Sequence, residues 1–108
     1  MEAGLMKDLP EDMHEEILEH NSNALVLSGH TNAIIGLASQ YGRPPLVLYD
    51  PVKVIDNLVL EGMSHDEAVE FFEYNIACAY MGANTPMMLI RLETLGVSND
   101  SDVEEGNT

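Results

Sequence analysis

The run Asp50-Pro51-Val52-Lys53-Val54-Ile55-Asp56-Asn57-Leu58-Val59-Leu60-Glu61-Gly62-Met63-Ser64-His65-Asp66-Glu67-Ala68 contains two helix starts and the stop between them. Asp50 is an N-cap residue type, with a side-chain oxygen for a free first-turn amide. Pro51 suits the first helical position, where its missing N–H costs nothing. Val52, Ile55, Leu58 and Val59 fall on one helical face, and Gly62 offers the left-handed conformation that ends a helix. Ser64 and Glu67 then form a capping box, S-x-x-E. Ala68, Val69, Phe72, Ile76 and Ala79 carry an apolar face onward to about Gly82. The spacing predicts a helix pair over 51–61 and 65–81.

Upstream, Leu46-Val47-Leu48-Tyr49 reads as a buried strand after a turn at Gly42-Arg43-Pro44-Pro45. The apolar runs 24–28 and 33–39, separated by Gly29-His30-Thr31-Asn32, read as a hairpin. A helix from Asn32 to Tyr41, stopped by Gly42, stays open beside it, because periodicity does not separate short apolar runs. Residues 1–8 read as a loose lead-in. Pro10, with Asp8 as a cap, opens a helix that runs to about His20 and ends at Asn21-Ser22-Asn23. Its apolar stripe is thin, comprising Met13, Ile17 and Leu18. Downstream, Asn84-Thr85-Pro86 turns the chain into a last strand at 87–91. The fold expected is α+β. A small, mainly antiparallel sheet packs against the helix pair, with the acidic first helix at its edge. Residues 1–96 form one domain, and 97–108 form a flexible acidic tail.

Nineteen acidic residues against four basic ones give the 108-residue chain a formal net charge of −15. With 45% apolar residues it still has the material for a core. The acids gather in three groups. Glu11, Asp12, Glu15, Glu16 and Glu19 crowd the first helix. Asp66, Glu67, Glu70 and Glu73 crowd the last, and Asp100, Asp102, Glu104 and Glu105 crowd the tail. Residues four apart on a helix are neighbours, so Glu11, Glu15 and Glu19 form a ridge, and Asp66, Glu70 and Glu73 form a second. The first-turn acids of the last helix favour its macrodipole, whereas Glu15, Glu16 and Glu19 sit near a C-terminal end that disfavours them. Two readings apply to such ridges. One is a solvated face that keeps a small protein soluble. The other is a surface that meets a basic partner, as a mimic of a nucleic-acid backbone would.

Lys7, Arg43, Lys53 and Arg91 are scattered, which argues against direct binding of nucleic acid or anionic lipid. No apolar run approaches membrane-span length, and no signal peptide is evident, so the expected location is the cytoplasm. Cys78 is the single cysteine, which excludes an internal disulfide and reads as a buried inert thiol. His14-Glu15 with His20 fails the H-E-x-x-H spacing, and Asp100-x-Asp102-x-Glu104 lacks the glycine and twelfth ligand of a calcium loop. No metal, cofactor or catalytic residue is therefore assigned. Asn75 falls beside Phe72 and Ala79 on the face expected to be buried. It serves either a structural hydrogen bond to a neighbouring loop or a pocket near Tyr49 and Asp50, where a strand passes into a helix. His30 and His65 have loop and cap-flanking readings.

Tyr49-Asp50-Pro51-Val52-Lys53-Val54-Ile55, Gly62-Met63-Ser64, Asp66-Glu67-Ala68, Phe72-Glu73-Tyr74-Asn75, Gly82 and Thr85-Pro86 together follow a pattern: Y-D-x-x-K-x-I, G-M-S-x-x-E-A, F-x-x-N, G-E-x-T-P. Ala33-Ile34-Ile35-Gly36 and Gly42-x-Pro44-Pro45 fit its upstream part. The chain resembles a family of small uncharacterised proteins of tailed bacteriophages and some bacterial genomes. The resemblance covers about residues 33–88, and Ala83 departs from it where the family tends to have Glu. It implies a phage gene acting in the host cytoplasm, and implies no catalytic residue.

Three functions follow as expectations. The first is a non-catalytic regulator binding a basic surface of a host protein, such as a nucleic-acid-binding protein, as an anti-defence factor or transcription modulator. The second is a small-ligand module or enzyme using Tyr49, Asp50 and Asn75. The third is a virion or assembly protein, homo-oligomeric through an exposed strand edge.

Overall fold

The computed structural model describes residues 3–4, 9–77 and 79–97. The expectations for Asp8 as a cap, for the thiol of Cys78 and for the tail acids from Asp100 onward lie outside the described residues. In chain order the elements are β1 (Ala3–Gly4), α1 (Glu11–His20), β2 (Val26–Leu27), a 3-10 turn at Thr31–Ala33, β3 (Ile34–Gln40) and β4 (Arg43–Tyr49). There follow α2 (Pro51–Leu60), α3 (His65–Phe72), a π turn at Glu73–Ala77, β5 (Met87–Met88) and a 3-10 turn at Leu92–Leu95. The protein is α+β, with helices beside a three-stranded sheet ordered β3-β4-β5.

The helix pair begins and stops where its capping chemistry dictates. The Asp50 carboxylate accepts the Val52 amide at 3.0 Å. Both halves of the capping box form: Glu67 N–H donates to the Ser64 hydroxyl at 3.2 Å, and Ser64 N–H donates to Glu67 Oε1 at 2.9 Å. Between them, Gly62 takes a φ of 120°. Gly62 N–H reaches Val59 O, and Met63 N–H reaches Leu58 O. These are the paired bonds that close a helix C-terminus around a left-handed glycine.

The buried face of α2 differs from the expected one. Val54 and Leu58 are fully buried, whereas Val52 and Val59 are exposed. Apolar residues surround this helix, so periodicity alone does not select a face. Packing selects Val54 and Leu58, one turn apart. The last helix also departs from expectation. Regular α3 ends at Phe72, and the π turn carries the chain only to Ala77, short of the expected 81.

The sheet is where the expected pairing changes most. The hairpin is β3–β4, turning at Tyr41-Gly42, and not 24–28 with 33–39. Strand β2 belongs to a separate two-stranded sheet with β1, inside the expected lead-in. Strand β5 joins β4 in parallel, shorter than the expected 87–91. Pro44 and Pro45 lie within β4 and not in a turn. They are tolerated because the ladder steps from Ala38↔Leu46 to Gln40↔Arg43, which sets Pro44 and Pro45 of β4 against the single Ser39 of β3. This bulge removes the need for ladder donors at the prolines. A second bulge places Ile35 outward between the Ile34 and Gly36 pairs.

Strand β4 organises the core. Val47 and Tyr49 are completely buried, together with Ala33, Val54, Leu58 and Ala68, and with Ile17 of α1 close by. The Tyr49 hydroxyl accepts the Leu27 amide at 2.7 Å, which links the two sheets. Asp50 N–H donates to Ala33 O, and Leu89 N–H donates to Tyr49 O. At the end of α1, buried Asn21 donates to Pro45 O at 2.8 Å and to Asn84 Oδ1 at 3.1 Å, and accepts Asn23 N–H at 3.0 Å. One amide thereby ties the first helix to the proline bulge and to the turn before β5.

Candidate functional site

The first acidic face is built by α1. Ile17 faces the core, Met13 and His14 are half-buried, and Glu11, Asp12, Glu15, Glu16 and Glu19 are all exposed. With 3.6 residues per turn, burying Ile17 directs these carboxylates outward. The helix has Pro10 at its N-cap and no side-chain cap. His20 in the last turn places Nδ1 2.8 Å from Glu16 O.

The second face is built by α3 and the π turn, where Asp66, Glu67, Glu70 and Glu73 are exposed. Among the described residues, no carboxylate of either face pairs with a Lys or Arg. A groove of about 350 Å³ runs along this second face, lined by Met63, Glu67, Glu70, Phe71, Tyr74 and Asn75. Its floor is apolar and its rim carries two carboxylates. Tyr74 stands largely in solvent, 73% exposed.

The three residues expected to share a pocket are placed apart. Tyr49 is interior, and burial pushes its phenol up to about 12, against the opposing effect of the Leu27 hydrogen bond. Asp50 caps α2 and has the Arg91 guanidinium 3.8 Å away. Asn75 is exposed on the α3 groove, which contains neither of the other two, and its amide donates to Phe71 O at 3.2 Å. The π turn accounts for this position. Its i→i+5 bonds advance each residue by less than the roughly 100° of an α-helix. Ile76 thus stays on the buried side with Phe72, while Asn75 turns out to solvent.

His30 is a feature that the sequence reading missed. Its side chain is completely buried, and its Nε2 has no hydrogen-bond partner among the described residues. Its Nδ1 lies 3.0 Å from Asn57 Nδ2. Since Asn57 donates there, Nδ1 accepts and the proton of the neutral ring sits on Nε2. Asn57 also exchanges two hydrogen bonds with Asn32, at 2.8 and 3.1 Å. Desolvation holds the imidazole below its usual pKa, and the Glu61 carboxylate opposes that shift. A polar loop running Ser28-Gly29-His30-Thr31-Asn32 gives no sign of burial. Only the docking of α2 onto the 3-10 turn at 31–33 creates it.

Among the described residues, no cluster of three or more His, Cys, Asp or Glu is placed to hold a metal ion. No helix among them is long and apolar enough to cross a membrane. No family model matches the chain, and no curated protein or solved structure is detectably similar to it.

Proposed function

We propose that the protein is a non-catalytic acidic regulator that binds a basic surface of another protein, in the manner of a nucleic-acid mimic. The setting inferred from its sequence pattern is the cytoplasm of a phage-infected bacterium. The observation that carries this reading is the α1 ridge. Five carboxylates stand exposed on one ten-residue helix, without a cationic partner among the described residues. Like charges one turn apart oppose the helix, and acids near its C-terminal end oppose the macrodipole. Solubility alone is met equally well by acids placed elsewhere. A basic partner surface relieves both penalties when it binds, and the field of the ridge accelerates its approach.

The test uses immobilised protein and a panel of purified host nucleic-acid-binding proteins, at two salt concentrations. Specific capture at low salt that weakens at high salt supports the reading. The variant Glu11→Gln/Glu15→Gln/Glu19→Gln should lose capture without losing its fold. Capture that is indifferent to salt and to this variant would overturn it.

A second reading, an assembly protein, rests on β3. Among the described residues, this strand is one edge of the three-stranded sheet, paired on one side only, with Ile35 exposed upon it. Edges of this kind template strand addition. Sedimentation at rising concentration tests it, because a mass that stays monomeric removes the reading.

A further inference from the structure

We propose that the α3 groove is the docking site for an arginine-bearing segment of the partner protein, an inference that rests on the basic-partner reading above. All six lining residues come from one stretch, 63–75. The groove is therefore an open furrow suited to a side chain presented from another surface. Its chemistry is specific in three ways.

First, Glu67 is held in place. Its Oε1 is committed to Ser64 N–H, which fixes the carboxylate and leaves the second oxygen for an incoming donor. A group already positioned loses little freedom on binding. Second, Glu70 and Tyr74 lie one turn apart on one face, so a carboxylate stands beside an exposed aromatic ring. Third, Met63 and Phe71 give an apolar floor for a methylene stem. A carboxylate, a ring face and an apolar floor together match a guanidinium. It stacks on the ring, meets a carboxylate through paired N–H groups, and is more weakly hydrated than an ammonium. Lysine supplies the charge and an apolar stem but lacks the planar fork that stacks on a ring while pairing with a carboxylate. Anionic ligands are repelled by the rim, and a second copy of this chain carries the same −15 charge to the contact.

The test is a ¹⁵N NMR titration of the full chain with three capped peptides. One alternates leucine with arginine, one replaces arginine by lysine, and one replaces it by glutamate. The arginine peptide should shift amides within 63–75 and bind about three- to fivefold tighter than the lysine peptide. Tyr74→Leu and Glu70→Gln should each weaken it about three- to fivefold. Both positions are exposed, and an unchanged spectrum away from the groove confirms the fold of each variant. Glu93→Gln, an exposed acid outside both acidic faces, should leave the affinity unchanged. Shifts centred on α1 overturn the groove and leave the basic-partner reading standing. Equal affinity for arginine and lysine, untouched by Tyr74→Leu, overturns the arginine assignment. The absence of shifts with either cationic peptide overturns the groove, while the capture experiment judges the broader reading separately.

Discussion

Helix α1 buries one of its ten residues, Ile17, and has no side-chain cap, whereas α3 buries Ala68 and Phe72 within eight and begins with a complete capping box. Both present a row of carboxylates to solvent. In α3, Asp66 and Glu67 lie in the first turn, where negative charge stabilises the helix, and Glu67 is part of the cap. In α1, Glu16 and Glu19 lie toward the opposite end, where it does not. First-turn acids, Glu11 and Asp12 in α1 as Asp66 and Glu67 in α3, therefore have a local structural reason, whereas Glu16 and Glu19 of α1 lack one. This is why the proposed function rests on α1, while the specific groove is assigned to α3.

The largest expected effects test how each helix is held. Phe72→Ala should cost about 3–5 kcal/mol, and Ile17→Ala about 2–5 kcal/mol, by urea denaturation. The spatial reach of the two should differ. Ile17 is the single fully buried anchor of α1, so its loss should remove amide exchange protection from 11–20 and leave 51–77 protected. Phe72 lies in the same core cluster as Ile17, but on a helix packed closely against α2, so its loss should lower protection throughout the molecule. Uniform loss in both variants would show that α1 is as integral as α3.

Next come the polar fastenings. Asn21→Ala leaves Pro45 O, Asn84 Oδ1 and Asn23 N–H without the partner they share. It should cost about 1–3 kcal/mol. Ser64→Ala removes the α3 cap and should cost about 1 kcal/mol. If Ser64 proves the costlier, α1 is not held mainly at its C-terminal end.

These fastenings also mark what is legible from sequence. Caps are local chemistry, so Asp50, Gly62 and the Ser64–Glu67 box could be read directly, as could the end of α1 at Asn21. Strand pairing is not local. The runs 24–28, 33–39 and 46–49 are all apolar, and nothing within them says which two become neighbours. The two prolines of β4 pointed to a turn, because the bulge that accommodates them is a property of how the two strands pair. The parallel seat of β5 and the two-stranded sheet involving Ala3–Gly4 are likewise set by tertiary contact. The acidic faces were legible because exposure follows from helical spacing once one core residue is placed. The groove was not, because it depends on a π turn that rotates Asn75 outward. Burial of His30 depends on α2 settling over its loop.

A pH titration separates the two sides of the molecule. His30 is fastened to α2 through Asn57, while α1 is fastened by Asn21, which does not titrate. Burial holds the folded-state pKa of His30 below the ordinary 6.5. As pH falls below 6.5, the unfolded chain takes up a proton that the folded chain does not, so stability falls. The loss levels off once the folded-state pKa is passed. His30→Gln retains an acceptor for Asn57 and cannot titrate, so it should flatten this part of the stability curve. Tyr49 gives the opposite limb. Its phenol is raised to about 12, so stability should fall as pH climbs from 10 towards 12, and Tyr49→Phe should abolish that dependence.

The smallest effect is the most direct probe of the two ridges, because it predicts opposite signs for the same chemical change. Neutralising Glu16 and Glu19 with Gln removes negative charge from the C-terminal half of α1 and should raise the melting temperature by about 1–2 °C. Neutralising Asp66 with Asn removes first-turn charge from α3 and should lower it by about the same amount. Both shifts should shrink in high salt, since the charges are exposed. A partner bound on α1 should reverse the first sign, making the Gln variant the less stable complex although it is the more stable free protein. That inversion distinguishes a binding face from a solvated one. Charge kept only for solubility gives no reason for a complex to prefer the less stable helix, and equal signs for α1 and α3 would mean that helix position plays no part in where this chain carries its acid.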